Sequence, residues 1–239
     1  MKRILPFLII LVVLGAALAS AYYLTRSAPG TTTRVTQTPP SPSSGAAANA
    51  QQRPVALKGV PGAEPPHTLG PANAPVQLEE FGDFQCPPCG MFHPILKQML
   101  EEFGDKLRIT FREFPLVPAH RHAVAAASSA EAAGLQGKFW QMHALLYEHQ
   151  ADWKDKMDVG PIFEGYARQI GLDIERWKKD VTSEQVAQRI FLDGRRGHSM
   201  GVAGTPTVFI NGREVPFESL IPEKLRVVIQ NELAASGSR

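Results

Sequence analysis

The sequence predicts an α/β domain in which a strand–helix–strand unit is followed by a long helical insertion and a closing hairpin. Two segments of alternating apolar residues, 75–81 and 107–114, flank a helical pattern over residues 86–103. Between about residues 118 and 200 no convincing strand pattern occurs. The dipeptide Asn-Gly at 211–212 then joins two short strand-like segments, which is typical of a β-hairpin. The helix between the first two strands predicts that they pair in parallel.

The N-terminus has the pattern of an export segment. A short positive start at residues 1–3 precedes residues 4–24, which are uncharged and mostly apolar. As a helix this stretch would span roughly 30 Å, the thickness of a bilayer core. Positive residues ahead of such a segment favour a cytoplasmic N-terminus and export of the rest. We interpret residues 1–24 as a signal anchor or, alternatively, a signal peptide cleaved near the small residues 19–21.

Residues 25–66 are predicted to form a disordered linker. They are rich in Pro, Ser, Thr, Ala and Gln and contain almost no large apolar side chains, so they cannot bury enough surface to fold. We expect the folded domain to occupy residues 67–236.

Glycines and capping residues delimit the helices of the insertion. Gly134 and Gly171 end two helical patterns, and Ser183 has the side chain preferred at an N-cap. We predict helices over about residues 120–133, 138–149, 160–170, 173–181 and 183–197. After the hairpin, a last helix is predicted over about residues 221–233.

The only two cysteines of the chain, Cys86 and Cys89, lie where the first helix of the domain begins. Two thiols at this spacing can form a disulfide across the first helical turn, and they can also supply two metal ligands. His93 lies four residues after Cys89 and faces the same way on a helix. A zinc or copper site made of Cys86, Cys89 and His93 therefore stays open as an alternative.

The combination of motifs resembles the thioredoxin superfamily and, within it, the exported DsbA-like thiol–disulfide oxidoreductases. The matching residues are Cys86-Pro87-Pro88-Cys89 after a strand and Gly204-Thr205-Pro206 at the opening of a later strand. The helical insertion between them is the feature that indicates DsbA rather than thioredoxin itself. The resemblance covers about residues 70–235. It implies a thioredoxin fold with an inserted helical domain, a redox-active disulfide, no cofactor and no bound metal.

The resemblance also implies the role of each catalytic residue. Cys86 becomes the nucleophile, because free N–H groups and the helix dipole favour a thiolate at the start of a helix. Cys89, one turn further in, becomes the resolving thiol. Glu80 lies six residues before Cys86, where the family has a buried acid, and would carry the proton of Cys89.

The candidate substrate-binding residues are Pro87, Pro88, Thr205 and Pro206. The resemblance implies a cis peptide bond between Thr205 and Pro206, which would direct the Thr205 backbone towards a bound peptide strand. Pro88 departs from the DsbA pattern Cys-Pro-His-Cys, because it replaces the histidine. With neither a positive charge nor an N–H group at this position, the reduced form should be less stabilised. We predict a reduction potential between about −270 mV, as in thioredoxin, and about −120 mV, as in DsbA.

The expected function is that of an enzyme that forms disulfides in cysteine-containing exported proteins. The expected location is the periplasm or the outer face of the cytoplasmic membrane, with anchoring by residues 4–24 if they are retained. The resemblance further implies a membrane partner that re-oxidises the enzyme. A net charge of +2 without a basic block after the N-terminus disfavours nucleic acid as a partner. No dimerisation segment is visible, so we expect a monomer.

Three alternatives to an oxidase stay open at this point. The same cysteines could serve a disulfide reductase or isomerase, because the motif does not set the direction of electron flow. If Cys86, Cys89 and His93 instead bind a metal ion, the chain would be a tethered metallochaperone. A third alternative is a binding module that keeps the fold without catalysis.

Overall fold

The computed structural model describes residues 59–237. The predicted export segment, residues 1–24, and the predicted linker up to residue 58 lie outside the described residues. Within residues 59–237, no helix is both long and apolar enough to cross a membrane.

The strands form one mixed sheet in the order β1-β3-β2-β4-β5. Their bounds are His67–Leu69 for β1, Val76–Gly82 for β2, Leu107–Glu113 for β3, Thr207–Ile210 for β4 and Arg213–Val215 for β5. β2 and β3 pair in parallel, whereas the other neighbours are antiparallel. The predicted parallel pair and the predicted hairpin are therefore confirmed. β1 was not predicted, because three residues are too few to show alternation.

The helices agree with the predicted insertion and with the predicted first and last helices. Their bounds are Pro87–Phe103 for α1, Ala123–Gly134 for α2, Phe139–Glu148 for α3, Gln150–Trp153 for α4, Gly160–Gln169 for α5, Ile174–Val181 for α6, Glu184–Ser199 for α7 and Pro222–Gly237 for α8. Ser183 caps α7 as predicted, because its side chain accepts a hydrogen bond from the Val186 N–H. Sequence analysis missed α4, since a four-residue helix has no readable period.

The two faces of β2 have different surroundings, which places Glu80 beneath the first helix. Val76 and Leu78 belong to a core cluster that also contains residues of α1 and α8. Phe81, on the opposite face, packs in a separate cluster with Phe114 and Phe209. Alternation along the strand then puts Glu80 on the face of Val76 and Leu78.

The helical insertion shares a core with the start of α1. The buried cluster that contains Cys86 and Cys89 also contains Trp153, Phe163 and the buried alanines of α2. Alanine side chains are small, so α2 can approach its neighbours closely. The N-terminus of α1 therefore lies at the junction of the sheet domain and the insertion.

Residues 59–66, which sequence analysis assigns to the linker, lie against the folded domain. Ala63 is fully buried, and its N–H donates to Asp193 Oδ1 at 2.7 Å. Its carbonyl accepts a hydrogen bond from Arg112 Nη1 at 2.7 Å. The segment is held by polar side chains of β3 and α7, and its own composition carries no sign of these distant partners.

Candidate active site

Cys86 is the N-cap of α1, and Pro87 and Pro88 are the first residues of the helix. Both cysteines are free thiols, with Cys86 only 4% and Cys89 0% exposed. The two prolines cost no helical hydrogen bonds, because the first N–H groups of a helix have no partner within it. The Gly90 N–H donates to the Cys86 carbonyl at 3.2 Å. The Gly90 N–H is therefore used by the helix itself.

The surroundings of the two thiols shift their pKa values in opposite directions. The pKa of Cys86 is lowered to about 6, first because of a hydrogen bond with the Cys89 thiol and then because of the Thr205 side chain and the Cys89 backbone. Burial and the charge of Asp83 oppose this shift. The pKa of Cys89 is raised well above its usual range by burial, by the hydrogen bond with Cys86 and by the charge of Glu80. Cys86 is therefore the thiolate at neutral pH, and Cys89 retains its proton.

The Thr205–Pro206 peptide bond is cis, as the resemblance implies. In its protonated form, Cys86 Sγ donates a hydrogen bond to the Thr205 carbonyl at 3.2 Å. Thr205 Oγ1 is buried without a hydrogen-bond partner, and it belongs to the side chain that lowers the pKa of Cys86. Thr205 and Pro206 thus lie directly beside the reactive sulfur.

Glu80 is buried within the sheet, at 2% exposure. Its register partners are Phe111 on β3 and Val208 on β4. Burial raises the pKa of Glu80 to about 8, with a further contribution from the charge of Cys86. The charge of Glu80 in turn helps to raise the pKa of Cys89, so the two groups interact electrostatically. A carboxyl whose pKa lies near neutrality can both give and accept a proton at working pH.

The structure does not group His93 with the cysteines. The His93 ring lies 5.2 Å from the His143 ring and 5.5 Å from the Tyr147 ring, which places it against α3. Its Nε2 is 4.0 Å from Glu148 Oε1. Among residues 59–237, no three His, Cys, Asp or Glu side chains form a group that could hold a metal ion. The expected three-ligand alternative is therefore not supported by the described structure.

Sequence analysis missed Gln150, which holds the active-site segment to the insertion. Gln150 Nε2 donates to the Phe84 carbonyl at 2.7 Å and to the Cys86 carbonyl at 2.9 Å. A Cβ atom on Gly90 would lie 2.8 Å from Gln150 Oε1, so a larger residue at this position would displace the Gln150 amide. The two ends of the contact are more than sixty residues apart, and no local pattern in the sequence indicates it.

Asp83 and Gln85 tie the same segment to the loop that leads into α2. Asp83 is 1% exposed, and its carboxylate accepts from the Gln85 N–H at 2.7 Å and the Leu116 N–H at 2.8 Å. His120 Nδ1 lies 2.8 Å from Asp83 Oδ2. Gln85 Oε1 accepts from the His122 N–H at 2.6 Å. These bonds rigidify the segment that leads to Cys86.

A cavity of about 400 Å³ lies beside the segment that leads to the cis proline. Its lining includes Phe114, Leu116 and Ile190, together with Val202 and Ala203 just before Gly204. Val117 and Phe191, which also line it, are 64% and 58% exposed. An open, largely apolar surface of this kind is suited to a binding partner with apolar side chains.

Comparison with known proteins identifies the family and the fold. The family model described as thioredoxin matches residues 63–231. BdbD from Bacillus subtilis, in its oxidised form, is 24% identical with a TM-score of 0.63, and the match covers 71% of this chain and 93% of that chain. The protein alpha-DsbA1 from Wolbachia pipientis is 17% identical with a TM-score of 0.64, over 76% of this chain and 98% of that chain. The DsbA-like arrangement of sheet and helical insertion is thereby confirmed.

Curated relatives match over a shorter part of their length. A protein named Na⁺/H⁺ antiporter NhaA 1 from Salinispora arenicola is 40% identical over 147 residues, which cover 62% of this chain and 22% of that protein. A namesake from Mycolicibacterium vanbaalenii is 40% identical over 165 residues, which cover 66% and 26%. This chain spans about a quarter of the length of these relatives. Most of each relative lies outside the matched region, so the activity stated in the relative's name is not assigned to this chain.

Proposed function

This chain belongs to the thioredoxin family, and on that premise we propose that it is a DsbA-like thiol–disulfide oxidoreductase whose redox centre is the pair Cys86 and Cys89. One observation carries the proposal. A thiol with a pKa of about 6 lies at a helix N-terminus, 3.2 Å from the carbonyl that precedes a cis proline. The second thiol is fully buried one turn away and keeps its proton.

The reaction is a pair of thiol–disulfide exchanges. A substrate thiolate attacks Sγ of Cys86 in the oxidised enzyme, the Cys86–Cys89 bond breaks, and Cys89 leaves as a thiolate. Glu80 gives this buried thiolate a proton. A second substrate thiolate then attacks the substrate sulfur of the mixed disulfide, and Cys86 leaves as a thiolate. Two electrons pass from the substrate to the enzyme, and the substrate gains one disulfide.

The lowered pKa of Cys86 favours the oxidising direction. A thiolate that is stable at neutral pH is a good leaving group, so the second exchange releases an oxidised substrate readily. The same stabilisation favours the reduced enzyme over its disulfide form, which makes the enzyme an oxidant. We therefore rank oxidase above reductase or isomerase for this chain.

We propose that the substrates are cysteine-containing exported proteins bound in extended form. Once Cys86 is in a disulfide, the Thr205 carbonyl loses its donor and can accept a backbone N–H from the substrate, as in strand addition. The neighbouring cavity, with Phe114 and Phe191 in its lining, offers apolar contacts for the side chains that flank the substrate cysteine.

The cellular setting is proposed from the N-terminal pattern. An apolar segment after a positive start exports the domain to the periplasm or to the outer face of the cytoplasmic membrane. A membrane partner would return the reduced enzyme to its disulfide form, and an anchor would keep the two close together.

The test is disulfide transfer to a reduced, unfolded protein with two cysteines. The full chain, oxidised and freed of oxidant, is mixed with this substrate, and free thiols on both proteins are then counted by alkylation. We expect one substrate disulfide for each enzyme disulfide lost, and no transfer by Cys86→Ser, which cannot form the enzyme disulfide. Mixed with the oxidised form of the same substrate instead, Cys89→Ser should accumulate a mixed disulfide at Cys86, because no second thiol resolves it. No transfer by wild type would instead indicate a binding module.

The direction in the cell is tested separately by trapping the thiols with an alkylating agent in the producing cells. A redox centre found mainly as the disulfide supports the oxidase. A redox centre found mainly as dithiol would contradict it and would favour the reductase or isomerase alternative.

A further inference from the structure

Two polar groups beneath the active site have no assigned role and no hydrogen-bond partner. Glu113, the last residue of β3, is 1% exposed, and neither of its carboxyl oxygens has a partner. Tyr147 of α3 is 4% exposed, and its hydroxyl is also unpaired. Burying such groups without partners costs free energy of folding, so a fold that retains both invites a functional explanation.

The sheet register places these groups beside Glu80. Glu80 and Gly82 lie two residues apart on β2 and therefore on the same face of the sheet. Gly82 pairs with Glu113 across the parallel ladder, so Glu113 occupies this face as well. A Cβ atom on Gly82 would lie 3.0 Å from the Tyr147 hydroxyl. The hydroxyl thus lies over Gly82, with Glu80 next along the strand and Glu113 opposite.

The pKa shifts of these groups agree with their placement, because the charge of each carboxyl acts on Tyr147. Burial raises the pKa of Tyr147 well above its usual range, and the charges of Cys89, Glu80 and Glu113 add to the shift in that order. Tyr147 therefore stays a neutral donor at any working pH. Burial likewise raises the pKa of Glu113 well above its usual range. A raised pKa favours the protonated form of Glu113, a carboxylic acid with a hydrogen to donate.

Several other charged groups face the two carboxyls and belong to the same environment. Those that act on Glu113 are Glu131 of α2, Asp193 and Arg189 of α7, and Asp83 of the loop after β2. Those around Glu80 are Cys86 and Cys89 of α1.

We propose that Tyr147 and Glu113 form a buried donor chain that stabilises Glu80 as a carboxylate after it has given its proton to Cys89. The proposal rests on the proposed redox function. The Glu113 acid donates to the Tyr147 oxygen, and the Tyr147 hydroxyl donates to Glu80, in each case after a small shift of the side chains or through one buried water. No electrons move along the chain. The proton that Glu80 gives to Cys89 returns to it when Cys89 next forms a disulfide.

Both residues are positioning residues, because they act on the sulfur only through Glu80. Without the tyrosine donor, ionised Glu80 loses a hydrogen bond to a charged group, which corresponds to an upward pKa shift of about one unit. Any step in which Glu80 must accept the proton of Cys89 then moves to higher pH by the same amount.

The experiment follows that step directly. Cys86 of the full-length protein is converted to its mixed disulfide with glutathione, and the release of glutathione by Cys89 is measured as a function of pH. For Tyr147→Phe we expect the midpoint of the profile to rise by about one pH unit. Tyr166→Phe removes a hydroxyl from α5, remote from this cluster, and should leave the midpoint where it is in wild type.

Glu113 is tested with two variants of similar size. Glu113→Gln retains a donor for the tyrosine oxygen and should keep the wild-type midpoint, whereas Glu113→Leu removes the donor and should shift the midpoint upward. A midpoint unchanged in Tyr147→Phe, or a uniform loss of rate at every pH, would overturn the donor chain. An unshifted midpoint in Glu113→Leu would show that Glu113 is not part of the donor chain.

Failure of the proposed redox function has a different signature in the same assay. If Cys89→Ser releases glutathione as fast as wild type, then Cys89 is not the resolving thiol, and the redox cycle itself is wrong. If glutathione release by wild type requires Cys89 but the pH profile of Tyr147→Phe matches that of wild type, only the donor chain is contradicted.

Discussion

The Cys86 thiol donates a hydrogen bond of 3.2 Å to the carbonyl of Thr205, a residue 119 positions further along the chain. The bond joins the N-terminus of α1 to the segment that enters β4. It also places the buried Thr205 hydroxyl, which has no hydrogen-bond partner, close enough to Cys86 for the Thr205 side chain to lower the pKa of that thiol. The ionisation of Cys86 therefore depends on a side chain outside the Cys-Pro-Pro-Cys motif.

Thr205→Val should raise the pKa of Cys86 from about 6. Valine keeps the shape of threonine but has no hydroxyl, so the thiolate loses one donor, for a shift of about one unit. The measurement is the ultraviolet absorbance of the thiolate as a function of pH. Thr207→Val, which removes a hydroxyl bonded to the Gly204 carbonyl, is the matched control and should leave the titration unchanged. An unchanged titration in Thr205→Val would show that the hydroxyl has no part in it.

Pro88→His should make the enzyme a stronger oxidant. The imidazole adds a positive charge and an N–H group in the first turn of α1, next to the Cys86 thiolate, and both stabilise the reduced form. We expect the reduction potential of wild type to lie between about −270 and about −120 mV, and that of the variant to move towards the upper value. Equilibration with glutathione buffers measures both.

Pro87→Ala is the control for the motif change, because it alters the same turn without adding a charge. We expect its potential to stay closer to wild type than that of Pro88→His. A wild-type potential at or above about −120 mV would contradict the argument that Pro88 weakens the oxidant.

Glu80→Gln should stabilise the reduced protein progressively as the pH rises. The pKa of Glu80 is raised from 4.5 to about 8 in the folded state. Below pH 4.5 the acid is protonated in both states and costs no stability. Between pH 4.5 and 8 only the unfolded state ionises, so wild type loses stability across this window. Thermal unfolding from pH 4 to 8 should show the variant gaining a few kcal/mol relative to wild type.

The control for this series is Glu101→Gln, which removes an exposed carboxyl from the same helix that carries the cysteines. Its stability relative to wild type should vary little with pH. A constant difference in stability between Glu80→Gln and wild type from pH 4 to 8 would show that the pKa of Glu80 is not raised in the folded state.

Gln150→Ala should destabilise the protein by about 2 kcal/mol, because it leaves the buried Phe84 carbonyl without a donor. Loss of the bond to the Cys86 carbonyl should cost less free energy, because this carbonyl keeps its hydrogen bond from the Gly90 N–H. Urea unfolding measures the change. Gln136→Ala removes two hydrogen bonds to the Asp173 backbone at an exposed site, where water replaces them, and should cost under about 1 kcal/mol. Equal losses of unfolding free energy in the two variants would contradict a special contribution of the buried Gln150 hydrogen bonds.

Local patterns in the sequence determined the architecture. Alternation over residues 75–81 and 107–114, with helical spacing between them, defined the parallel unit, and Asn-Gly at 211–212 defined the hairpin. These patterns succeed because strand and helix periods act over neighbouring residues. The position of Cys86 at the helix start was readable for the same reason.

Only the tertiary structure decided what surrounds the two sulfurs. Gln150 reaches the Cys86 carbonyl from a helix that is too short to be predicted, and His93 turns to α3 although its spacing suited a metal site. Tyr147 meets the region of Glu80 because Gly82 has no side chain. Each of these relations joins residues from different elements, and their directions depend on how helices pack on the sheet. The sequence by itself located the two thiols at the start of a helix, whereas packing set their pKa values.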